Sequence, residues 1–172
     1  MSCYIAAPFF NRPQLELAET IENILLEERV PFYSPRKSGV LKPAASSEDR
    51  RRILLSNIDA IQTASVVLAV MDWLLPPEHY LHVIERGEDS WHFKSPDLNL
   101  PDTGTVWECG FAYAIHRPII GYVSKAKKIN VMIAETFKGV VGSPEELRGF
   151  ARTWSGASFS YDNLKPWTGS IQ

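Results

Sequence analysis

The chain has 172 residues, 45% of them hydrophobic and 22% charged, with a net charge of −2. That length and balance suit one globular domain with a buried core, and the near-neutral charge excludes an electrostatic grip on nucleic acid or on an anionic membrane. Two cysteines, Cys3 and Cys109, are too few for a disulfide framework or a zinc site. No basic leader precedes the first apolar run and no run reaches membrane-spanning length, so a cytoplasmic protein is expected.

In chain order, the apolar run 3–7, ended by Pro8, predicts a buried first strand. Residues 14–28 carry Leu15, Leu17, Ala18, Ile21, Ile24 and Leu25 at helical spacing, with acids on the other face. A short second strand is expected over 30–33, closed by Pro35, and 37–45, rich in Gly, Pro and Lys, reads as a loop. Ser46 or Ser47 caps a helix that runs to about Thr63. Residues 65–72 (SVVLAVMD) form the clearest strand, continuous in Val and Leu as in a parallel sheet buried on both faces. The stretch 73–101, with Trp73, Tyr80, Trp91, Phe93 and three of the four histidines, is a long inserted loop expected to overhang the crevice at the strand end.

A helix is expected over 105–116 with Thr105 as its cap, and a strand over 118–123. Residues 129–137 fit helix or strand equally, Ser143-Pro-Glu-Glu starts a helix over 144–154, and 159–161 is a candidate last strand. Strands separated by helices predict an α/β fold: a doubly wound, flavodoxin- or Rossmann-like, mainly parallel five-stranded sheet flanked by helices, in a single domain over 1–172.

The most informative stretch runs from Asp102 to Gly110 (DTGTVWECG). It sets two carboxylates six residues apart at a strand-to-helix junction. With Thr105 as cap, Glu108 lies in the first helical turn and Asp102 in the loop before it, both facing the crevice where α/β proteins bind ligands. A glutamate in a first turn often does no more than complement the helix dipole. Here Trp107 and Cys109 give Glu108 an apolar setting of the kind that tunes a carboxylate. A carboxylate so placed can attack an anomeric carbon and hold the sugar as a covalent ester.

Asp102 is either a turn residue or an acceptor for sugar hydroxyls, and in the second role its charge disfavours a phosphate at the same spot. After the first strand, Ala6 and Ala7 allow close approach of a ligand. Of Phe9 and Phe10, one is expected in the core and the other stacked on a flat base. The scattered histidines lack metal-ligand spacing, and no glycine-rich dinucleotide or P-loop motif occurs, so no metal or cofactor is implied.

YIAAPFF at the first strand, NIDAI before SVVLAVMD, and above all PDTGTVWECGFAYA resemble the nucleoside 2-deoxyribosyltransferases, α/β enzymes that exchange the base of 2′-deoxynucleosides. The resemblance implies that Glu108 is the nucleophile, that the Tyr4 hydroxyl orients it, and that Asp102 binds the sugar hydroxyls. It adds Ala7, Pro8, Phe9, Phe10, Asn57, Asp72, Gly104 and Thr105 to the substrate-binding set. It further implies a homo-oligomer with shared active sites, in which Asn130, Met132 and the terminal carboxylate of Gln172 reach a neighbour's site. The partners are then 2′-deoxynucleosides and free nucleobases. The segment from Lys37 to Leu41 lacks the Gln with which some members read the base, and this leaves base preference open. Related hydrolases of deoxynucleoside 5′-monophosphates resemble this chain but tend to carry Ser where Asp102 stands, so Asp102 with Asn130 favours nucleosides. A phosphoribohydrolase of the cytokinin-releasing kind is disfavoured because Asp102-Thr103 replaces much of its glycine-rich phosphate nest. A non-catalytic nucleotide sensor is disfavoured by the intact Tyr4, Asp102 and Glu108.

Overall fold

The computed structural model describes residues 2–38, 45–72, 101–125, 128–154, 161 and 164–171. The chain runs β1 (Cys3–Ala6), α1 (Arg12–Glu27), β2 (Phe32–Tyr33), a 3-10 turn (Pro35–Lys37), α2 (Ser47–Thr63), β3 (Val66–Val70), α3 (Thr103–Ala114), β4 (Ile119–Tyr122), β5 (Lys128–Ile129), α4 (Val131–Ala134), β6 (Phe137–Val141), α5 (Pro144–Trp154) and β7 (Ser170–Ile171). Five strands form one all-parallel sheet in the order β2-β1-β3-β4-β6. The order reverses between β1 and β3, which places a topological switch point, the usual ligand crevice of such sheets, beyond their C-terminal ends.

Every residue of β1, β3 and β4 is buried, so side-chain alternation divides them between two apolar layers. Cys3, Ile5, Val66, Leu68, Val70, Ile120 and Tyr122 pack on one face against Ile21, Ile24 and Leu25 of α1 and Leu147, Phe150 and Trp154 of α5. Tyr4, Ala6, Val67, Ala69 and Ile119 take the other face, with Ala60 and Ile61 of α2 and Cys109 and Ala112 of α3. The doubly wound expectation is met, and the parity of β1 sends Tyr4 toward α3.

Helix starts follow local capping chemistry. The Asn11 side chain accepts the Gln14 N–H at 3.0 Å, so α1 begins two residues earlier than its apolar spacing suggests. Ser46 and Asp49 form a reciprocal capping box at α2. At α3 the cap is Asp102 and not Thr105, and the helix begins at Thr103.

The fifth strand of the sheet is β6. The run 129–137, which fits helix or strand equally, divides into the end of β5, the single-turn α4 and the first residue of β6. β6 lies at the sheet edge, with Lys138 exposed and Gly139 interrupting the alternation, so its sequence signal is weak. Leu164 packs where a Cβ on Gly139 would lie, and the Val140 N–H donates to the Lys165 carbonyl at 2.9 Å, which covers the edge. The loop expected over 73–101 lies outside the described residues except for Pro101, as does the candidate strand 159–161 except for Tyr161, which sits in a bend. Among the described residues no helix is long and apolar enough to cross a membrane.

Arg29, just past the end of α1, has φ 58°. A side chain in this left-handed region costs about 1–2 kcal/mol that glycine avoids. Arg29→Gly is therefore expected to raise Tm by about 2–8 °C in a domain of this size, at about 2–4 °C per kcal/mol. An unchanged or lower melting temperature would show that contacts of the Arg29 side chain outweigh the backbone strain.

Candidate active site

Tyr4 is fully buried in β1 on the face that α3 covers, and its hydroxyl donates a hydrogen bond to Glu108 Oε1 at 2.5 Å. The Tyr33 ring stacks on Tyr4 with centroids 5.7 Å apart and planes 10° from parallel. The Tyr33 hydroxyl lies 2.9 Å from Ser56 Oγ and donates to Asn57 Oδ1 at 3.4 Å. β1, β2, α2 and α3 are thus tied together by one chain of contacts, from Glu108 through Tyr4 and Tyr33 to Ser56 and Asn57.

Because Asp102 is the cap, Glu108 sits in the second turn of α3 and not the first. Asp102 Oδ2 accepts the Thr105 N–H at 2.8 Å and the Thr105 hydroxyl at 3.2 Å. Asp is as good a cap as Ser, and a threonine at the third helical position gives it two donors, which decides the start in its favour. Gly104 lies one turn before Glu108 on the same face, and a Cβ there would come within 2.9 Å of Asp102 Oδ2.

The Glu108 carboxyl titrates well above the ordinary carboxylate range, at about 7. Burial raises it most, the Tyr4 hydrogen bond opposes this, and the neighbouring Asp102 charge raises it further. The Tyr4 phenol is pushed far up by burial and by the Glu108 charge, so it acts as a hydrogen-bond donor and not as an acid near neutral pH. Burial also pushes the Cys109 thiol up to about 12, leaving it unreactive.

Glu108 opens onto a cavity of about 660 Å³, a volume that suits a small organic ligand. α3 contributes Asp102, Gly104 and Glu108; the segment after β1 and the start of α1 contribute Ala7, Phe9, Phe10 and Leu15. The turn after β2 contributes Pro35 and Arg36, and α2 contributes Ile53 and Asn57. Contrary to expectation, neither Phe9 nor Phe10 enters the core. Their rings stack on each other at 5.2 Å, with Phe9 half-buried and Phe10 exposed, and both line the cavity.

Sequence reasoning missed Leu15, Pro35, Arg36 and Ile53. For Arg36 a signal existed: it follows the C-terminal end of a strand, where ligand sites of open α/β sheets lie. Its guanidinium is fixed by Glu22, which is buried in α1, through Nε to Oε1 at 2.7 Å and Nη2 to Oε2 at 2.5 Å. Lys37 Nζ adds 3.0 Å to the same carboxylate. Burial pushes the Glu22 carboxyl up, but hydrogen bonds from Arg36, Ser34 and Lys37 outweigh it and hold the group below its usual range.

Other residues singled out from the sequence do not line this cavity. Asp72 is buried, and its carboxylate accepts the Ser124 N–H, the Ser124 hydroxyl and the Lys125 N–H at 2.8, 2.6 and 2.8 Å, holding the turn after β4. Thr105 is buried against Asp102, and Pro8 is buried beside the cavity segment. Asn130 caps α4 through Met132 N–H at 2.9 Å, and Met132 borders a separate cavity of about 320 Å³ between α3 and α4. Gln172 lies outside the described residues; Ile171 pairs with Ile129, which brings the tail beside Asn130. No group of three or more metal-ligating side chains occurs among the described residues.

A carboxyl group with a raised pKa, held by a phenol hydroxyl, thus shares a cavity with a second acid at the switch point of an α/β sheet. The family model for nucleoside 2-deoxyribosyltransferases matches residues 3–142, and the chain belongs to that family. A 2-deoxyribosyltransferase from the psychrotolerant bacterium Bacillus psychrosaccharolyticus shares the fold with a TM-score of 0.70 at 21% identity, over 97% of this chain and 99% of its own. A conserved protein from Enterococcus faecalis V583 does so with a TM-score of 0.59 at 15% identity, over 90% of this chain and 98% of its own. No curated protein matches the sequence.

The raised Glu108 pKa has a consequence for stability. Between the ordinary value of 4.5 and about 7 the folded chain holds a proton that the unfolded chain has lost, so stability falls as pH rises through that window. Glu108→Gln removes this loss. The variant is expected to gain in Tm relative to the parent from pH 5 to pH 8, as read by thermal melts across that range. A gap that does not change with pH would disprove the burial of an ionisable Glu108.

Proposed function

We propose that the protein exchanges the base of 2′-deoxynucleosides by double displacement through an ester on Glu108. One observation carries the reading: the 2.5 Å hydrogen bond from Tyr4 fixes one Glu108 oxygen, beside a cavity that Asp102 also lines. Oε2 is then the oxygen that attacks C1′ as the base departs from the opposite face. The ester waits, and a second base attacks C1′ from the vacated side, restoring the original configuration. A 2-deoxy sugar suits the route, because without an electron-withdrawing 2′-hydroxyl the oxocarbenium-like transition state is easier to reach.

Asp102 accepts hydrogen bonds from the sugar hydroxyls while Thr105 holds its Oδ2 in place. The stacked Phe9 and Phe10 give the base a flat apolar wall. The whole chain works as one such unit, and it assembles as a homo-oligomer in which Asn130, Met132 and Gln172 complete a neighbouring site. Exposed Trp107, Tyr113, Val131 and Met132 on α3 and α4 support an interface there.

Incubation with deoxyinosine and free adenine, followed by chromatography, tests the activity. Deoxyadenosine is the expected product; hypoxanthine with free deoxyribose alone would mean hydrolysis and would refute transfer. Glu108→Ala is expected to abolish exchange while the fold is kept, and retained activity would sink the nucleophile assignment. Because attack requires the carboxylate, kcat/KM is expected to fall about tenfold per pH unit below about 7.

Gly104→Ala separates site geometry from helix stability. Alanine favours the helix, but its methyl group would press on Asp102 Oδ2. The expected outcome is a Tm at least as high as the parent's with kcat/KM lowered about tenfold or more. Unimpaired turnover would show that the placement of Asp102 is not critical.

A further inference from the structure

The polar groups of the cavity divide by their origin. Asp102 and Glu108 come from α3, which packs over β1 and β3. Arg36 and Asn57 come from the turn after β2 and from α2. β1 lies between β2 and β3 in the sheet, so these two sets enter the cavity from opposite sides of β1. With C1′ held at Glu108 and the sugar hydroxyls at Asp102, the base extends toward Arg36 along the wall of Phe9, Phe10 and Leu15.

Arg36 is the only one of these groups that donates hydrogen bonds without accepting them. Of its five N–H groups, Glu22 takes the one on Nε and one on Nη2, and Glu19 at 3.5 Å takes at most one on Nη1. Among the described residues, one N–H on each terminal nitrogen is left. Such a fork, fixed by a bidentate carboxylate behind it, matches an edge that carries two adjacent acceptors. On the edge that would face the major groove in a duplex, guanine and hypoxanthine present O6 and N7 in that arrangement, whereas adenine puts an amino donor beside N7, cytosine presents an amino donor, and thymine offers a single oxygen with a methyl group beside it.

We propose that Arg36 reads the base and selects 6-oxopurines by a bidentate pair of hydrogen bonds to O6 and N7, with Glu22 as the positioning residue that aims it. The inference rests on the base-exchange reading and deepens it. The same contact assists the chemistry. When the C1′–N9 bond breaks, its electron pair leaves with the base and spreads toward N7 and O6, where the guanidinium stabilises it. The C1′–Oε2 bond forms as that bond breaks, and the departing purine takes a proton from water. In the second half the incoming purine gives its N9 proton to water as N9 attacks C1′ and the ester oxygen leaves.

The test measures binding and turnover separately. By titration calorimetry on the wild-type protein, hypoxanthine is expected to bind about ten- to a hundredfold more tightly than adenine, and about tenfold more tightly than 7-deazahypoxanthine, which lacks the N7 acceptor. Equal affinities, or no detectable binding of hypoxanthine, would overturn the proposal. Arg36→Lys keeps a cation for Glu22 but loses the fork. It is expected to lower kcat/KM for deoxyinosine at least tenfold, in kcat as well as KM, while deoxyadenosine changes less than threefold. Equal losses on both nucleosides would overturn base reading, and so would a selective gain on deoxyinosine 5′-monophosphate, which would make Arg36 a phosphate grip. If the protein neither exchanges nor hydrolyses any deoxynucleoside, the function reading fails. The free-base titrations on the unmutated chain still decide the role of Arg36.

Discussion

The hydrogen bond between Tyr4 and Glu108 joins the first strand to a helix 104 residues later, and the arrangement of the site depends on it. It requires that Tyr4 face α3, which the alternation of β1 decides, and that α3 cross over β1, which the strand order decides. A one-residue slip of β1 would send Cys3 and Ile5 to that face and remove the only donor that Glu108 has among the described residues. The buried carboxylate would then lack the contact that offsets part of its desolvation.

That offset is partial. Burial and the nearby Asp102 charge still hold Glu108 at about 7, so the site keeps a poorly solvated carboxyl group that is about half ionised at neutral pH. A group in this condition is reactive because its surroundings do not stabilise its charge fully, and such environments are a mark of functional sites. Rigidity comes from the neighbours: Tyr33 stacks on Tyr4, and the Glu22 carboxylate ties the turn after β2 to α1. The half-buried acid Glu108 is left under-stabilised while the buried Glu22 is fully paired. The contrast separates the group proposed to react from the scaffold that holds it.

Much of this was legible in the sequence where chemistry and position coincide. The junction Asp102–Gly110 and the run 3–7 closed by Pro8 both read as strand ends, so Glu108 and Asp102 could be placed near one crevice from pattern alone, whereas one of Phe9 and Phe10 was expected in the core. The start of α3 was less legible, since Asp102 and Thr105 are both good caps and only the geometry of their mutual hydrogen bonds decides between them. β6 was obscured because an edge strand with Lys138 exposed and Gly139 inside it has no clear period. Leu15, Pro35 and Ile53 reach the cavity through the packing of α1, α2 and the turn after β2, which no local pattern reports, and Arg36 carried only the general signal of its place after a strand end.

Asp102 does two things with one carboxylate: it starts a helix and it lines the cavity. Serine, threonine and asparagine cap helices about as well as aspartate. A single change at this position can therefore remove a negative charge from the mouth of the cavity without unravelling α3. Capping alone therefore does not fix the charge of the cavity mouth at this position, and what such a change gives up is the sugar contact proposed for Asp102.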